Sequence, residues 1–281
     1  MKMSKKITGF LLLLLGIAVC YPIFFLFTGS LMGSGELKSH LGAALGLGTK
    51  PMTWSFLPLM PTLRHYVQLL LDSPEYFHMF WNSVLLSGGI LAGQLLCGVP
   101  AAWGFAKYDF PLKKLLFSLY ILLMMMPFQV TMLSGYLVLS KIKLTDTLWA
   151  VILPGAFSTF PVFIMYRFFC GVPQALMDAA RIDGAGERAI FFHIGLPLGS
   201  SGIVSAVVLS FLESWNLIEQ PMTFLKSKKL WPLSLYLPLI TPEKAGISFA
   251  ASVVTLLPAL LVFLCGQDYL EQGIVAAAVK E

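Results

Sequence analysis

The 281-residue sequence predicts an all-α integral membrane protein with six transmembrane helices and a polar helix–turn–helix between the fourth and fifth. Three observations carry that reading. Hydrophobic residues make up 57% and charged residues only 12%, with a mean hydropathy of +0.81; a soluble domain carries about a quarter charged residues to cover its exterior. Charge-free stretches recur at 7–32, 80–106, 115–140, 147–166, 189–212 and 245–267, each near the roughly 20 residues that cross the hydrocarbon core. Barrel strands would alternate in polarity and these stretches do not, so helix is what satisfies the backbone in lipid. Soluble enzyme, disulfide scaffold and disordered chain are excluded by the same composition.

The first stretch follows Lys2, Lys5 and Lys6 and continues through Tyr21 to Phe27, longer than the roughly 7–15 apolar residues of a secretory signal. Val19 is also bulky where the residue before a cleaved Cys20 should be small, so a retained anchor is expected. Segment 33–79, rich in Gly and Pro and carrying Trp54 and Phe56, predicts an external cap. The second span holds Gly89-x-x-x-Gly93, a helix-packing pattern. The fourth is followed by a loop at about 171–197, and the fifth helix itself is expected at about 196–217. Segment 213–244 is broken by Pro221, Pro232, Pro238 and Pro242. The chain reads as a single transmembrane domain over 1–281. An inside N-terminus puts ten Lys/Arg inside and nine outside. The near tie leaves Lys2, Lys5 and Lys6 beside the first span to favour both termini inside, against the outer cluster Lys226, Lys228 and Lys229.

Several chemistries have no residues to perform them. There is no GxxxxGK[ST] phosphate loop and no GxSxG nucleophile turn. Cys20, Cys97, Cys170 and Cys265 stand singly, as do the four histidines, so no metal site and no cofactor is expected. The net charge of +5 is scattered, which suits membrane topology rather than a nucleic-acid footprint. No Asp, Glu, Lys or Arg lies within the charge-free stretches, the nearest being Glu213. Ion-coupled carriers place an ionisable group there, so a self-sufficient carrier is disfavoured.

The loop is the richest segment. Pro173 suits a first helical turn. Leu176, Ala179, Ala180 and Asp183 recur at three- and four-residue spacing and define one face, with two small residues that let a partner approach the backbone. Gly184 and Gly186 end the helix. Glu187 starts a second one running through Phe191, Phe192 and Ile194 to Leu196-Pro197. A plain connector between two spans is the competing reading.

Asp178-Ala179-Ala180, then Gly184, then Ile194-Gly195-Leu196-Pro197 resembles the EAA motif of binding-protein-dependent ABC importer permeases, and Ile182-Asp183-Gly184-Ala185 is similar to its carbohydrate branch. Asn82-Ser83, Ala106 to Phe110, Met126-Pro127, Leu153-Pro154, Trp215-Asn216 followed after four intervening residues by Pro221, and the tail from Gln272 to Lys280 extend the resemblance over nearly everything from residue 75 onward. The sequence resembles the second permease of maltose-type sugar importers. The chain departs from the pattern where Asp178 replaces Glu, where Glu219-Gln220 stands in place of apolar residues, and where Gly199 to Ser201 replaces a Lys-Pro.

The resemblance implies a bacterial plasma-membrane subunit that hydrolyses no ATP. Its partners would be a second homologous permease, two ABC ATPase subunits and an extracytoplasmic substrate-binding protein, with no nucleic acid. The loop would dock in an ATPase cleft on the cytoplasmic side, using Asp178, Ala179, Ala180, Arg181, Asp183, Gly184 and Gly186, with Gln272 and Lys280 of the tail also reaching the ATPases. A sugar path needs donors, acceptors and an aromatic face, for which Glu213, Trp215, Asn216 and Glu219, together with Gln94 and Gln129, are candidates. Trp also gathers at membrane interfaces, and mid-span Gln94, Gln129 and Ser134 could equally bond helix to helix. The alternatives are a permease for a sugar phosphate or other polar solute and a stand-alone carrier.

Overall fold

The computed structural model describes residues 2–42, 57–236 and 244–278, and side chains within 8–42, 57–236 and 244–271. Among these residues the fold is all-α, with no strand. Four helical stretches are each long and apolar enough to cross a membrane: Thr8–Leu31, Pro74–Lys107, Trp149–Cys170 and Ala245–Glu271. Two bent pairs, Lys113–Met125 with Phe128–Lys141 and Glu187–Leu198 with Ser200–Trp215, bring the number to six if each counts as one span.

Both bends fall within expected spans, at 115–140 and 196–217. In the first, α6 (Lys113–Met125) and α7 (Phe128–Lys141) meet at 105°. Pro127 has no N–H and its ring pushes the preceding residue out of the helical region; Met126 accordingly sits at φ −74°, ψ 121°. In the second, the chain turns by 68° at Gly199, directly after Leu196-Pro197-Leu198.

The residues form two compact units, one from the described parts of 1–78 and 235–258, the other from those of 79–234 and 259–281. In the first, α1 (Lys2–Leu31) exposes apolar side chains all round from Phe10 to Val19, as a lipid-facing helix does. The cap expected after it includes α2 (Ser34–Leu41) and α3 (Arg64–Leu71). They are tied down by a 2.7 Å bond between Ser30 Oγ and Tyr66 Oη, a 3.1 Å bond between His65 Nε2 and the Met32 carbonyl, and the Leu59 N–H donating to Glu36 at 2.8 Å. Trp54 and Phe56 lie outside the described residues.

In the second unit, α4 (Pro74–Gly93) runs through a π turn at Gln94–Gly98 into α5 (Val99–Lys107). Then α8 (Trp149–Ala156) and α9 (Thr159–Cys170) follow, and α9 packs between α5 and α13 (Ser200–Trp215). Trp103, Val162, Met165 and Phe169 form the middle of that core, with the Trp103 and Phe169 rings edge-on at 5.3 Å. Gly89 and Gly93 face α8: a Cβ at Gly89 would stand 3.0 Å from Ile152, and one at Gly93 would strike Ala156. The GxxxG pattern is a close helix–helix contact. Mid-span, Gln94 Nε2 donates to the Gly155 carbonyl at 2.9 Å across the same seam.

Candidate functional site

Two features of the second unit stand out, the loop after α9 and a polar cavity. In the loop, α10 (Gln174–Ile182) follows Pro173 at its N-cap. Its inner side is anchored by Met177, fully buried with Phe169, Val172 and Ile190, and by Ala180, partly buried on the same cluster. Leu176, Ala179, Ile182 and Asp183 face outward, Ile182 being 86% exposed. The expected face of Leu176, Ala179, Ala180 and Asp183 is therefore split, because a four-residue stripe of 3.6-residue period also needs an anchor, and Met177 supplies it with Ala180 three residues on.

Gly184 adopts φ +83°. The Ala185 N–H donates to the Ala180 carbonyl at 2.9 Å and the Gly184 N–H to that of Arg181 at 3.1 Å, closing the helix C-terminus. Gly186 takes no part in that left-handed turn; at φ −73°, ψ 160° it is the N-cap of α11 (Glu187–Ile190), which runs through a π turn at Phe191–Gly195 into α12 (Leu196–Leu198). Both π turns end in Gly and precede Pro by two residues, at Pro100 and Pro197, where a widened turn relieves the ring's clash with the preceding carbonyls. Gly195 is obligatory for a second reason: a Cβ there would come within 2.8 Å of the Trp103 ring.

Polar side chains bind the loop to the end of α5. Arg181 donates from Nε to Glu187 Oε1 at 2.8 Å and from Nη1 to Asp178 Oδ1 at 2.9 Å. Tyr108 Oη donates to Glu187 Oε2 at 2.7 Å, and Lys107 Nζ to the Val172 carbonyl at 2.6 Å. The Arg181 guanidinium, followed by the Tyr108 hydroxyl, holds the Glu187 carboxyl below the usual carboxylate range, and Glu187 in turn raises Arg181. Asp178 and Arg181, expected to be docking contacts, are already engaged inside the loop. The side chain of Gln272, and Lys280 altogether, lie outside the described residues.

The cavity, about 670 Å³, is bounded by α6, α7, the α8–α9 junction, α13 and α14 (Glu219–Phe224). Its polar lining includes Gln94, Ser134, Ser158, Ser210, Glu213, Ser214 and Gln220. Glu213 and Gln94 are thus the expected path residues that reach it. Gln129 instead donates to the Glu219 carboxylate at 2.7 and 2.9 Å, and neither lines the cavity. Trp215 is buried, stacked on Phe211 and edge-on to Phe80, and Asn216 caps α13 by donating to the Leu212 carbonyl at 2.8 Å.

Sequence reasoning missed two clamps on the segment that follows α14. Asn82 Nδ2 donates to the carbonyls of Lys229 (2.7 Å) and Trp231 (3.1 Å), while the Leu233 N–H donates to Ser83 Oγ at 2.7 Å. The Asn82-Ser83 pair therefore holds the loop after α14. Asp146, at φ +59°, accepts the N–H groups of Lys226 and Ser227 and the Ser227 hydroxyl, at 2.7–2.8 Å. Those donors, the Ser227 hydroxyl first, keep its carboxyl below the ordinary range. A lone Asp between Thr145 and Thr147 gave only a turn signal in the sequence.

Comparison with known proteins places this architecture. Over 232 residues the chain is 34% identical to the arabinooligosaccharides transport system permease protein AraQ of Halalkalibacterium halodurans, covering 82% of this chain and 83% of that one. Against AraQ of Bacillus subtilis it is 32% identical over 271 residues, 95% and 93% of the two chains. The sn-glycerol-3-phosphate transport system permease protein UgpE of Pectobacterium atrosepticum is 28% identical over 202 residues, 70% and 72% of the two chains. The fold superposes on a chain of a bacterial ABC transporter involved in the import of the acidic polysaccharide alginate, with a TM-score of 0.80 at 19% identity over 95% of this chain and 96% of that one. Residues 94–276 match the family described as the binding-protein-dependent transport system inner membrane component, and this chain belongs to that family of transporter permeases.

Proposed function

We propose that the chain is one of two permeases in an ATP-driven importer of an oligosaccharide handed over by an external binding protein. The α10 helix enters a cleft of a separate ATPase subunit, and the cavity beside α13 forms this subunit's half of the path. Both termini and the 171–197 loop face the cytoplasm of a bacterial cell, with 33–79 and 213–244 outside. One observation carries the coupling role: α10 is fastened from one side by Met177, while its other side presents Leu176, Ala179 and the 86%-exposed Ile182 to the exterior of the protein. A mere connector has no reason to hold an apolar strip clear of its own core. The AraQ relatives support the oligosaccharide. ATP binding would favour one conformer of the ATPase pair, and the rigid α10 would carry that bias into α5 and α9 through Trp103 and Phe169. Reconstitution tests this: the chain alone transports nothing and hydrolyses no ATP, and uptake driven by an ion gradient without any ATPase would overturn the reading.

A further inference from the structure

Among the described residues that line the cavity, Glu213 is the one ionisable side chain and none is a cation. Among the described residues its carboxylate has no ion pair and no hydrogen bond. Its position is also locally unfavourable: Glu213 lies in the last turn of α13, where the helix dipole favours positive charge. Ser210, Glu213 and Ser214 are spaced at three and four residues and so lie on one stripe of α13 facing the cavity. Ser214 donates to the Phe211 carbonyl, but Ser210, 2% exposed, has its Oγ buried on that stripe without any partner. An unpaired buried hydroxyl costs stability unless something supplies its bond. An uncompensated, accessible carboxylate on an otherwise uncharged polar lining suits a polyhydroxylated ligand and is hostile to an anion.

We infer that the Ser210–Glu213–Ser214 stripe makes this half of the path selective for charge, admitting neutral oligosaccharides and rejecting those bearing carboxylate or phosphate. The inference rests on the cavity being the sugar path. A hydroxyl-rich neutral sugar supplies donors to Glu213. An anionic sugar meets Glu213 with no cation on the lining to offset the repulsion, and clefts focus such fields. The lysines at 226, 228 and 229 are absent from the lining, and Lys228 sits over the Trp231 ring instead.

The test needs no knowledge of the sugar. In the intact importer, with the native cysteines replaced, Ser134→Cys or, as a second site, Ser158→Cys places a thiol on the lining. Its reaction rates with a cationic and an anionic methanethiosulfonate of equal size are then compared, with and without Glu213→Gln. The cationic reagent should be favoured by at least roughly tenfold over a free thiol's preference, and Glu213→Gln should remove most of that excess. Modification should also block substrate uptake. An unchanged rate ratio in Glu213→Gln, with uptake still blocked, overturns the charge selection and leaves the path in place. Full uptake after complete modification at both positions overturns the path itself, and the selectivity with it.

Discussion

Glu187 shows how much a single exposed residue contributes to this fold. It accepts from Arg181 on its own loop and from Tyr108 beyond the end of α5, so it joins the second loop helix to the membrane-embedded core. The pair is solvent-accessible, with the Arg181 and Glu187 side chains 35% and 49% exposed, and solvent screening keeps such a contact weak. Because the folded-state carboxyl titrates below its ordinary value, the stabilisation is complete above the ordinary carboxylate range and disappears as pH falls through the lowered one. Glu187→Gln should therefore speed amide exchange over 174–190 by roughly two- to fivefold at neutral pH. The difference from the wild type should shrink as pH falls below the ordinary carboxylate range and vanish once the Glu187 carboxyl is protonated in the folded state as well. A difference that persists there would assign the effect to shape rather than charge.

At the scale of elements, the loop helix depends on its anchor. Met177 is fully buried against Phe169, Val172 and Ile190, and emptying that site should cost about 2–5 kcal/mol. Met177→Ala is expected to lower the amount of folded protein and expose 171–198 to protease, while Met177→Leu is tolerated; equal protease resistance in all three would remove Met177 as the anchor. The loop's two-helix plan and the Gly184 turn were legible in the sequence, because Gly at a helix end has one dominant use. The anchor was not, since Leu176 and Met177 are equally apolar neighbours and only packing tells which turns inward. The apolar stretches likewise showed their length and not their bends: a Pro at 127 in a long apolar run is compatible with a kink or with a full break, and the 105° turn is a tertiary outcome. Of the polar candidates, Glu213 and Gln94 reach the cavity, but Trp215 and Asn216 serve packing and capping. Motif position alone could not separate these roles.

For the whole molecule, topology and coupling are the remaining questions. With both termini inside, a cysteine at Ala185, introduced after removal of the four native ones, should resist an impermeant reagent in intact cells and react after permeabilisation. Labelling in intact cells would invert the orientation. Coupling is tested most directly by two neighbouring alanines that face opposite ways. Ala179 faces outward and Ala180 packs on the core, and overpacking a fitted contact costs about 1–3 kcal/mol. The measurement is the amount of ATPase subunit co-purifying with Ala179→Trp, normalised to permease level, alongside substrate uptake. The expected result is near-normal permease abundance with recruitment and uptake both falling at least about tenfold, whereas Ala180→Trp lowers abundance itself. Full recruitment and full uptake by an abundant Ala179→Trp permease would contradict the proposal that α10 is the element joining this permease to its ATPase.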